Sequence, residues 1–184
     1  MGSLAPTRAT RLPRTEYPSM AEAVRDLATI LSDWIQNSSS RVLAAKLRAP
    51  TSLTLAAGTS AGTVADVQTL LDGNVYSVAE AAGTPGFDLQ LGFTELTHVH
   101  GLLLRAYYAG SATHYCEVGI WNNATSAYDV LLTLETGNQH SIRYLELPHN
   151  PNYLAAGVAT VRLYHPVAGN ASHDLHVDYV AILE

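Results

Sequence analysis

The sequence predicts a mostly β protein, with an antiparallel two-sheet sandwich over residues 41–184, an extended arm and one amphipathic helix in residues 1–40. Three observations support this fold class. From Arg41 onward the apolar residues recur with a period of two, which is typical of strands. Turn signals rich in Gly, Asn and Pro separate these segments, with no helical period between them. Before Arg41, one segment repeats with the period of a helix instead.

The body of the chain contains nine segments with strand character. The clearest is 87–93, where Phe87, Leu89, Leu91 and Phe93 alternate with more polar or smaller residues, as in a strand with one buried face. The predicted strands are 42–47, 75–79, 87–93, 102–108, 115–121, 129–134, 142–147, 160–164 and 175–183. Strands separated by turns and joined without intervening helices favour an antiparallel sandwich.

The helix is predicted over residues 20–36, and it begins at a capping box formed by Ser19 and Glu22. One apolar seam runs along it with spacings of 4, 3, 4 and 3. Its members are Met20, Val24, Leu27, Leu31 and Trp34. This is the a/d pattern of a coiled coil, so we expect a homo-oligomer, a trimer in preference to a dimer. Ile30 and Ile35 widen the seam, as a trimer or a docked helix would need. The alternative is a helix that packs on its own domain.

Charge divides the chain into two parts. Residues 1–50 carry seven basic against four acidic side chains, whereas residues 51–184 carry three against twelve and no lysine. An acidic body is a poor match for phosphates, so we expect no nucleic-acid partner. The arm carries Arg8, Arg11 and Arg14, and we expect it to anchor the protein on an acidic protein surface or on neighbouring copies of the chain. No run of 18 apolar residues exists, so no membrane span is expected.

No catalytic motif is present, and we expect neither an enzyme nor a cofactor. The sole cysteine, Cys116, lies two residues from His114 on a predicted strand, which would place both side chains on one face. A buried, unreactive thiol is the simpler interpretation of this pair.

A metal site is considered at the last strand and not assigned. With a period of two, Asp174, His176 and Asp178 share one face, and Leu175, Val177 and Tyr179 the other. Two carboxylates and an imidazole could hold a divalent ion. We interpret them instead as the polar alternates of a strand, because one strand seldom supplies enough ligands.

Aromatic residues and histidines are concentrated in the middle of the chain. The candidate ligand-binding residues among them are Tyr107, Tyr108, His114 and Trp121. Exposed aromatic rings flanked by polar groups bind sugars and proteins, whereas core packing is the alternative for each of these side chains.

Three segments carry a resemblance to a known family. They read LDGNVYSVAE at 71–80, YAGSATH at 108–114, and VRLYH at 161–165 followed by GNASHDLHVDYV at 169–180. Over residues 66–184 the chain resembles the jelly-roll domains of tailed-bacteriophage virion proteins, which are similar to galactose-binding-like and carbohydrate-binding-module sandwiches.

The resemblance implies a non-enzymatic structural protein on the exterior of the phage particle, made in the host cytoplasm. It would be a capsid decoration protein or head fibre, attached by its arm and helix to the major capsid protein or to tail proteins. The alternative is a carbohydrate-binding module of a tail fibre or baseplate, with host surface glycans as its partner.

Overall fold

The computed structural model describes residues 46–184. The anchoring arm and the oligomerisation helix predicted within residues 1–40 lie outside this range, so they stay predictions. The described chain contains eleven strands and two short 3-10 turns, Val64–Val67 and Pro151–Tyr153. It has no helix long and apolar enough to cross a membrane.

The strands form two antiparallel sheets. They are β1 Leu47–Arg48, β2 Ser52–Ala57, β3 Thr59–Ala61, β4 Tyr76–Ala79, β5 Phe87–Phe93, β6 Gly101–Ala109, β7 Cys116–Asn122, β8 Ala127–Leu134, β9 Ser141–Glu146, β10 Ala159–His165 and β11 Asp174–Leu183. One sheet has the order β3-β4-β11-β6-β9, with β1 pairing on the free edge of β11 beyond β4. The other has the order β2-β5-β10-β7-β8.

The strand order is that of a jelly roll. From β4 onward the eight strands divide into two interleaved sets of four, β4-β11-β6-β9 in one sheet and β5-β10-β7-β8 in the other. Antiparallel strands that pass between two stacked sheets in this way are the defining feature of a jelly roll. The predicted fold class, an antiparallel jelly-roll β-sandwich, is therefore confirmed for the described residues.

The core lies between the inner faces of the two sheets. In β5 the predicted alternation holds, and Phe87, Leu89, Leu91 and Phe93 are fully buried. Val161 and Leu163 of the neighbouring β10 are buried beside them. Each such side chain contributes about 1.5–3 kcal/mol through burial, so the sheet pair is held mainly by apolar packing.

The predicted strand bounds differ from the observed ones by at most two residues, except at the start of the body. Of the predicted segment 42–47, only Lys46 and Leu47 lie within the described residues, and only Leu47 is in a strand. Strands β2 and β3 were not predicted. Both missed strands are short edge strands rich in Ser, Thr and Ala, and their side chains are mostly half-buried or exposed. β3 has three residues and no large apolar side chain, and in β2 only Leu53 and Leu55 mark the period of two.

One prediction about β11 is wrong, because the strand contains a bulge between Val177 and Tyr179. The extra residue, Asp178, reverses the alternation. Val177 pairs with Ala106 and faces the core, whereas Tyr179 pairs with Arg105 and packs in a separate cluster on the outer side of the sheet. An inserted residue changes which face every following side chain occupies. Tyr179 therefore does not share a face with Leu175 and Val177.

The bulge is held by the carboxylate of Asp178. Its Oδ1 lies 2.8 Å from Nη1 of Arg105, and its Oδ2 accepts a hydrogen bond of 3.2 Å from the backbone N–H of Leu71. The side chain is almost completely buried. Asp178 is thus the acid of a structural ion pair, and neither of its oxygens remains available as part of a metal site with His176.

Replacing Asp178 should destabilise the fold selectively. Asp178→Ala leaves the Arg105 guanidinium without its partner in a largely buried place, and we expect a loss of about 3 kcal/mol in the free energy of unfolding. Asp174→Ala, at the start of the same strand, is the matched control and should change it by less than about 0.5 kcal/mol. Urea unfolding measures both. Equal losses in the two variants would contradict the role of the bulge.

Candidate functional site

The outer face of the five-stranded sheet presents aromatic and charged side chains in adjacent rows. The antiparallel register places Tyr164 between Asp88 and Glu117, and places Arg162 between Gln90 and Gly119. Trp121 and Tyr128 pair across β7 and β8 on the same face, with ring centroids 5.1 Å apart. Because side chains alternate between the two sides of a strand, these groups lie on one surface of the sheet, which we call the aromatic face. Its members are Asp88, Gln90, Glu117, Trp121, Tyr128, Arg162 and Tyr164.

Arg162 is fixed at the centre of the aromatic face. Its Nε and Nη2 donate to the two carboxylate oxygens of Asp88 at 2.8 and 2.6 Å. Its guanidinium carbon lies 3.6 Å from the ring centroid of Tyr164 and 4.9 Å from that of Tyr128. Burial acts to lower the pKa of Arg162, but the hydrogen bonds and charge of Asp88 raise it above its usual value. A bidentate, stacked guanidinium of this kind is held in one geometry.

A shallow groove lies beside Arg162. It is lined by Glu117, Gly119, Tyr128, Val130, Arg162 and Tyr164. Gly119 has no side chain to fill the space between Glu117 and Trp121, and Val130 across the ladder is 55% exposed. The groove therefore offers apolar rings, an ordered guanidinium and a carboxylate together. Such a surface suits a flat ligand with an apolar face bordered by hydroxyl groups.

A second group of polar side chains converges at one end of the sandwich. Glu80 follows β4, His114 precedes β7, and His173 precedes β11, whereas Tyr108 and His165 lie near the ends of β6 and β10. These five residues, which we call the Glu80 cluster, come from distant parts of the chain. Glu80 and His165 are completely buried in their side chains, and His114 and His173 are 18% and 12% exposed.

The carboxylate of Glu80 is the centre of this cluster. Its Oε1 accepts a hydrogen bond from the Tyr108 hydroxyl, and its Oε2 accepts one of 2.6 Å from the backbone N–H of Asn170. Nδ1 of His114 and Nδ1 of His173 lie 3.3 and 3.4 Å from Oε2, and 3.3 Å from each other. Nε2 of His165 lies 3.6 Å from Oε1. Both oxygens of one buried carboxylate are therefore surrounded by donors and imidazoles.

The electrostatics of the cluster favour an ionised Glu80. Burial acts to raise its pKa, but the hydrogen bonds from Tyr108 and Asn170, together with His165 and His114, hold it below its usual value. Burial and the adjacent carboxylate raise the pKa of Tyr108. Tyr108 thus stays a neutral hydrogen-bond donor to a charged acceptor, which is a strong pairing.

Three glycines allow the chain to pack closely against the cluster. A Cβ on Gly86 would collide with the ring of His165, one on Gly110 with the ring of Tyr108, and one on Gly169 with the carbonyl of Ala81. Any side chain at these positions would push against the groups that surround Glu80. The close packing at this end of the sandwich therefore depends on glycine, which has no side chain, at these three positions.

The structure does not bring the four sequence-predicted ligand residues together. Tyr107 lies on the outer face of the six-stranded sheet, stacked on His176 at 4.4 Å between ring centroids. Trp121 lies on the aromatic face, on the other sheet. Tyr108 is fully buried, and only His114 joins it, in the Glu80 cluster.

Several residues of these two sites were missed from the sequence. Tyr128, Arg162 and Tyr164 belong to the polar alternates of β8 and β10, and that alternation was the signal that could have found them. Glu80 and His173 had no such signal, because nothing in their spacing relates residue 80 to residue 173. Cys116 is buried, and burial raises the pKa of its thiol, so it is not available as a nucleophile.

Comparison with known proteins gives likenesses among solved structures alone. No family model matches the sequence, and no curated protein matches it. The fold is similar to the enzymatically active domain of bacteriophage CBA120 tailspike protein 4 (13% identity, TM-score 0.47), covering 73% of this chain and 20% of that one. It is also similar to a family 29 carbohydrate-binding module in complex with cellulohexaose (11% identity, TM-score 0.45), covering 72% of this chain and 92% of that one. A third similar structure is the K2 cleaved adhesin domain of Lys-gingipain (15% identity, TM-score 0.46), covering 73% of this chain and 91% of that one. The chain thus spans a fifth of the tailspike chain and most of the other two.

Gly169→Ala should destabilise the end of the sandwich that holds Glu80. The new Cβ would meet the Ala81 carbonyl and lie 2.8 Å from Cβ of Glu80, so we expect a loss of about 2 kcal/mol in the free energy of unfolding. Gly137→Ala is the control, since no atom lies within 4 Å of its added Cβ. Chemical denaturation compares the two. An unchanged midpoint for Gly169→Ala would show that this packing is not needed.

Proposed function

We propose that this chain is a non-enzymatic glycan-recognition β-sandwich, displayed on the exterior of a phage particle. The observation that carries glycan recognition is the aromatic face, where Arg162 is fixed by Asp88 and stacked against Tyr164 and Tyr128 beside an open groove. A pyranose ring has an apolar C–H face and a rim of hydroxyls. The aromatic face offers a counterpart to each.

The apolar part of the ligand would lie on the rings. Tyr128 and Tyr164 are half-buried, which leaves part of each ring accessible while its position is set by the sheet. Trp121 packs against Tyr128 with an interplanar angle of 70° and supports it from the side. Rings held in this way contribute contact area with little loss of side-chain entropy on binding.

The hydroxyl groups of the ligand would be bound by fixed polar atoms. Arg162 is already ordered by Asp88, so its remaining N–H groups need no rearrangement to donate to a sugar. Glu117 lines the same groove and supplies acceptors. Preorganised donors and acceptors around an apolar surface give orientation and specificity.

A binding rather than catalytic role is supported by the state of the carboxylates. Both oxygens of Asp88 accept hydrogen bonds from Arg162, so neither is free to contact a substrate as a general acid. A glycosidase needs two free carboxyl groups on either side of the scissile bond. Among the residues that line the groove, Glu117 is the only one with a carboxylate.

Attachment and valency are assigned to residues 1–40. The basic arm would dock on an acidic surface of the major capsid protein or of a tail protein, and the helix would join the chains into a homotrimer. Three weak glycan sites on one trimer bind a host surface with an avidity that no single site has. The resemblance of residues 66–184 to phage jelly-roll domains supports this location on the particle.

Tyr164→Ala should weaken glycan binding at least tenfold, because it removes a ring of the aromatic face; a loss of about 1.4 kcal/mol corresponds to tenfold in Kd. The matched control is Tyr144→Ala, which removes a tyrosine that is 45% exposed on the other sheet. A glycan array with bacterial surface polysaccharides identifies the ligand, and calorimetry compares the variants. Absence of binding across such an array would reject glycan recognition.

Leu27→Asp combined with Leu31→Asp should convert an oligomer into a monomer, because charges in the seam cannot be buried against one another. Sedimentation of the full chain at micromolar concentration measures this, and the monomer should no longer decorate particles. Thr29→Asp, off the predicted seam, is the control and should leave the oligomer intact. A wild-type chain that sediments as a monomer would contradict the proposed attachment.

A further inference from the structure

The geometry points to a zinc site formed by Glu80, His114 and His173, with a fourth coordination position open to solvent. Oε2 of Glu80 and the Nδ1 atoms of the two histidines form a nearly equilateral triangle with sides of 3.3, 3.4 and 3.3 Å. Within residues 46–184 this is the group of His, Cys, Asp and Glu side chains whose ligand atoms lie close enough to hold one ion.

The size of the triangle matches tetrahedral zinc. With Zn–N and Zn–O distances of about 2.0–2.1 Å, the edge of a regular tetrahedron is roughly 3.3–3.4 Å. All three sides of the observed triangle fall in this range. One ion could therefore contact the three atoms without displacement of any side chain.

Hydrogen bonding alone accounts poorly for the same triangle. N–H···O bonds prefer 2.7–3.2 Å, and all three separations are longer. Both imidazoles direct the same atom, Nδ1, at one carboxylate oxygen and at each other. A shared cation explains why three electron-rich atoms converge on one point, since each would donate a lone pair to it.

A second observation concerns His165. Its Nε2 is buried and has no hydrogen-bond partner within the described part of the chain, and the ring stacks on His114 with centroids 4.7 Å apart. The nitrogen faces Oε1 of Glu80 at 3.6 Å. Buried nitrogens are nearly always paired, so this one indicates that the end of the sandwich holds a further group.

The surroundings of Glu80 are those of a braced metal ligand. Tyr108 donates to Oε1 and the Asn170 N–H donates to Oε2, which fixes the carboxylate plane. Outer hydrogen bonds of this kind orient the ligands of protein metal sites and tune their affinity. The partial exposure of His114 and His173 gives an ion a path from solvent, while the buried carboxylate of Glu80 supplies a negative charge on the core side of the site.

The ligand set selects the ion. Two imidazoles and one carboxylate suit zinc, whereas Ca²⁺ and Mg²⁺ require six or more oxygen ligands. We assign the ion a role in stability, because its three ligands come from segments that are distant in the chain. It would join the segment after β4, the turn before β7 and the connection before β11, which no disulfide can do in a chain with one cysteine.

The test uses the full chain, stripped with a chelator and titrated with ZnCl₂. We expect one Zn²⁺ bound per chain by calorimetry. The melting temperature should rise by about 5–10 °C at a free zinc concentration a hundredfold above Kd. Co²⁺ in place of zinc should give the intense visible absorption of a four-coordinate ion. No uptake at equimolar zinc, or an octahedral Co²⁺ spectrum, would overturn the site.

Substitutions test whether zinc binds at this site or at another histidine. His173→Ala should weaken zinc binding at least a hundredfold, because loss of even an outer-shell partner costs tenfold to a hundredfold. His176→Ala, three residues along the chain and outside the cluster, is the matched control and should leave Kd unchanged. If His173→Ala does not fold, Glu80→Gln gives the same comparison with an isosteric side chain. Equal zinc affinity in the wild type, His173→Ala and Glu80→Gln would reject the assignment, whatever the outcome for glycans.

Discussion

The pairing of β11 with β6 is the constraint on which the rest of the structure depends. β11 runs antiparallel to β6 along almost its whole length, while β4 and β1 share its other edge. It is buried from Val177 to Leu183, so its register cannot slip without exposing core residues. Because Glu80 follows β4 and His173 precedes β11, the pairing of β4 on the other edge of β11 brings these two residues together. The backbone N–H of Glu80 donates to the carbonyl of His173 at 3.0 Å, which fixes the end of the ladder where the Glu80 cluster forms.

The two sheets have different outer surfaces because their strands have different neighbours. On the six-stranded sheet the bulge at Asp178 turns Tyr179 outward, where it packs with Leu103 and Ala181, and so this side carries apolar cover of its own. On the five-stranded sheet the outer row of β7 contains Gly119, which leaves space between Glu117 and Trp121. A ligand can approach the second surface and its aromatic rings more closely than the first. The difference between the two outer surfaces thus follows from the bulge in one sheet and from Gly119 in the other.

Local patterns predicted the fold well and the sites poorly. Period two identified β5 because its odd-numbered residues face the core, and the turn residues between segments separated the strands correctly. The same rule failed beyond Val177, since a bulge leaves no mark in composition and Asp178 resembles any other polar alternate. Tyr107 and Trp121 are close in sequence, but lie in β6 and β7, which belong to opposite sheets. Chain proximity is a poor guide in a jelly roll, where most successive strands lie in different sheets.

Strand β10 connects the two sites. Arg162 and Tyr164 point outward to the aromatic face, and the next residue, His165, points inward to Glu80, so the pleat alone places neighbouring residues at both. Nδ1 of His165 lies 2.6 Å from the carbonyl oxygen of Tyr115, which ties the end of β10 to the start of β7. An ion held by Glu80, His114 and His173 would stiffen this end of the strand. Because Tyr164 shares its backbone, reduced motion there would lower the entropy lost when a ligand settles on the ring. A site inside the sandwich can in this way support recognition on its surface without contact between ion and ligand.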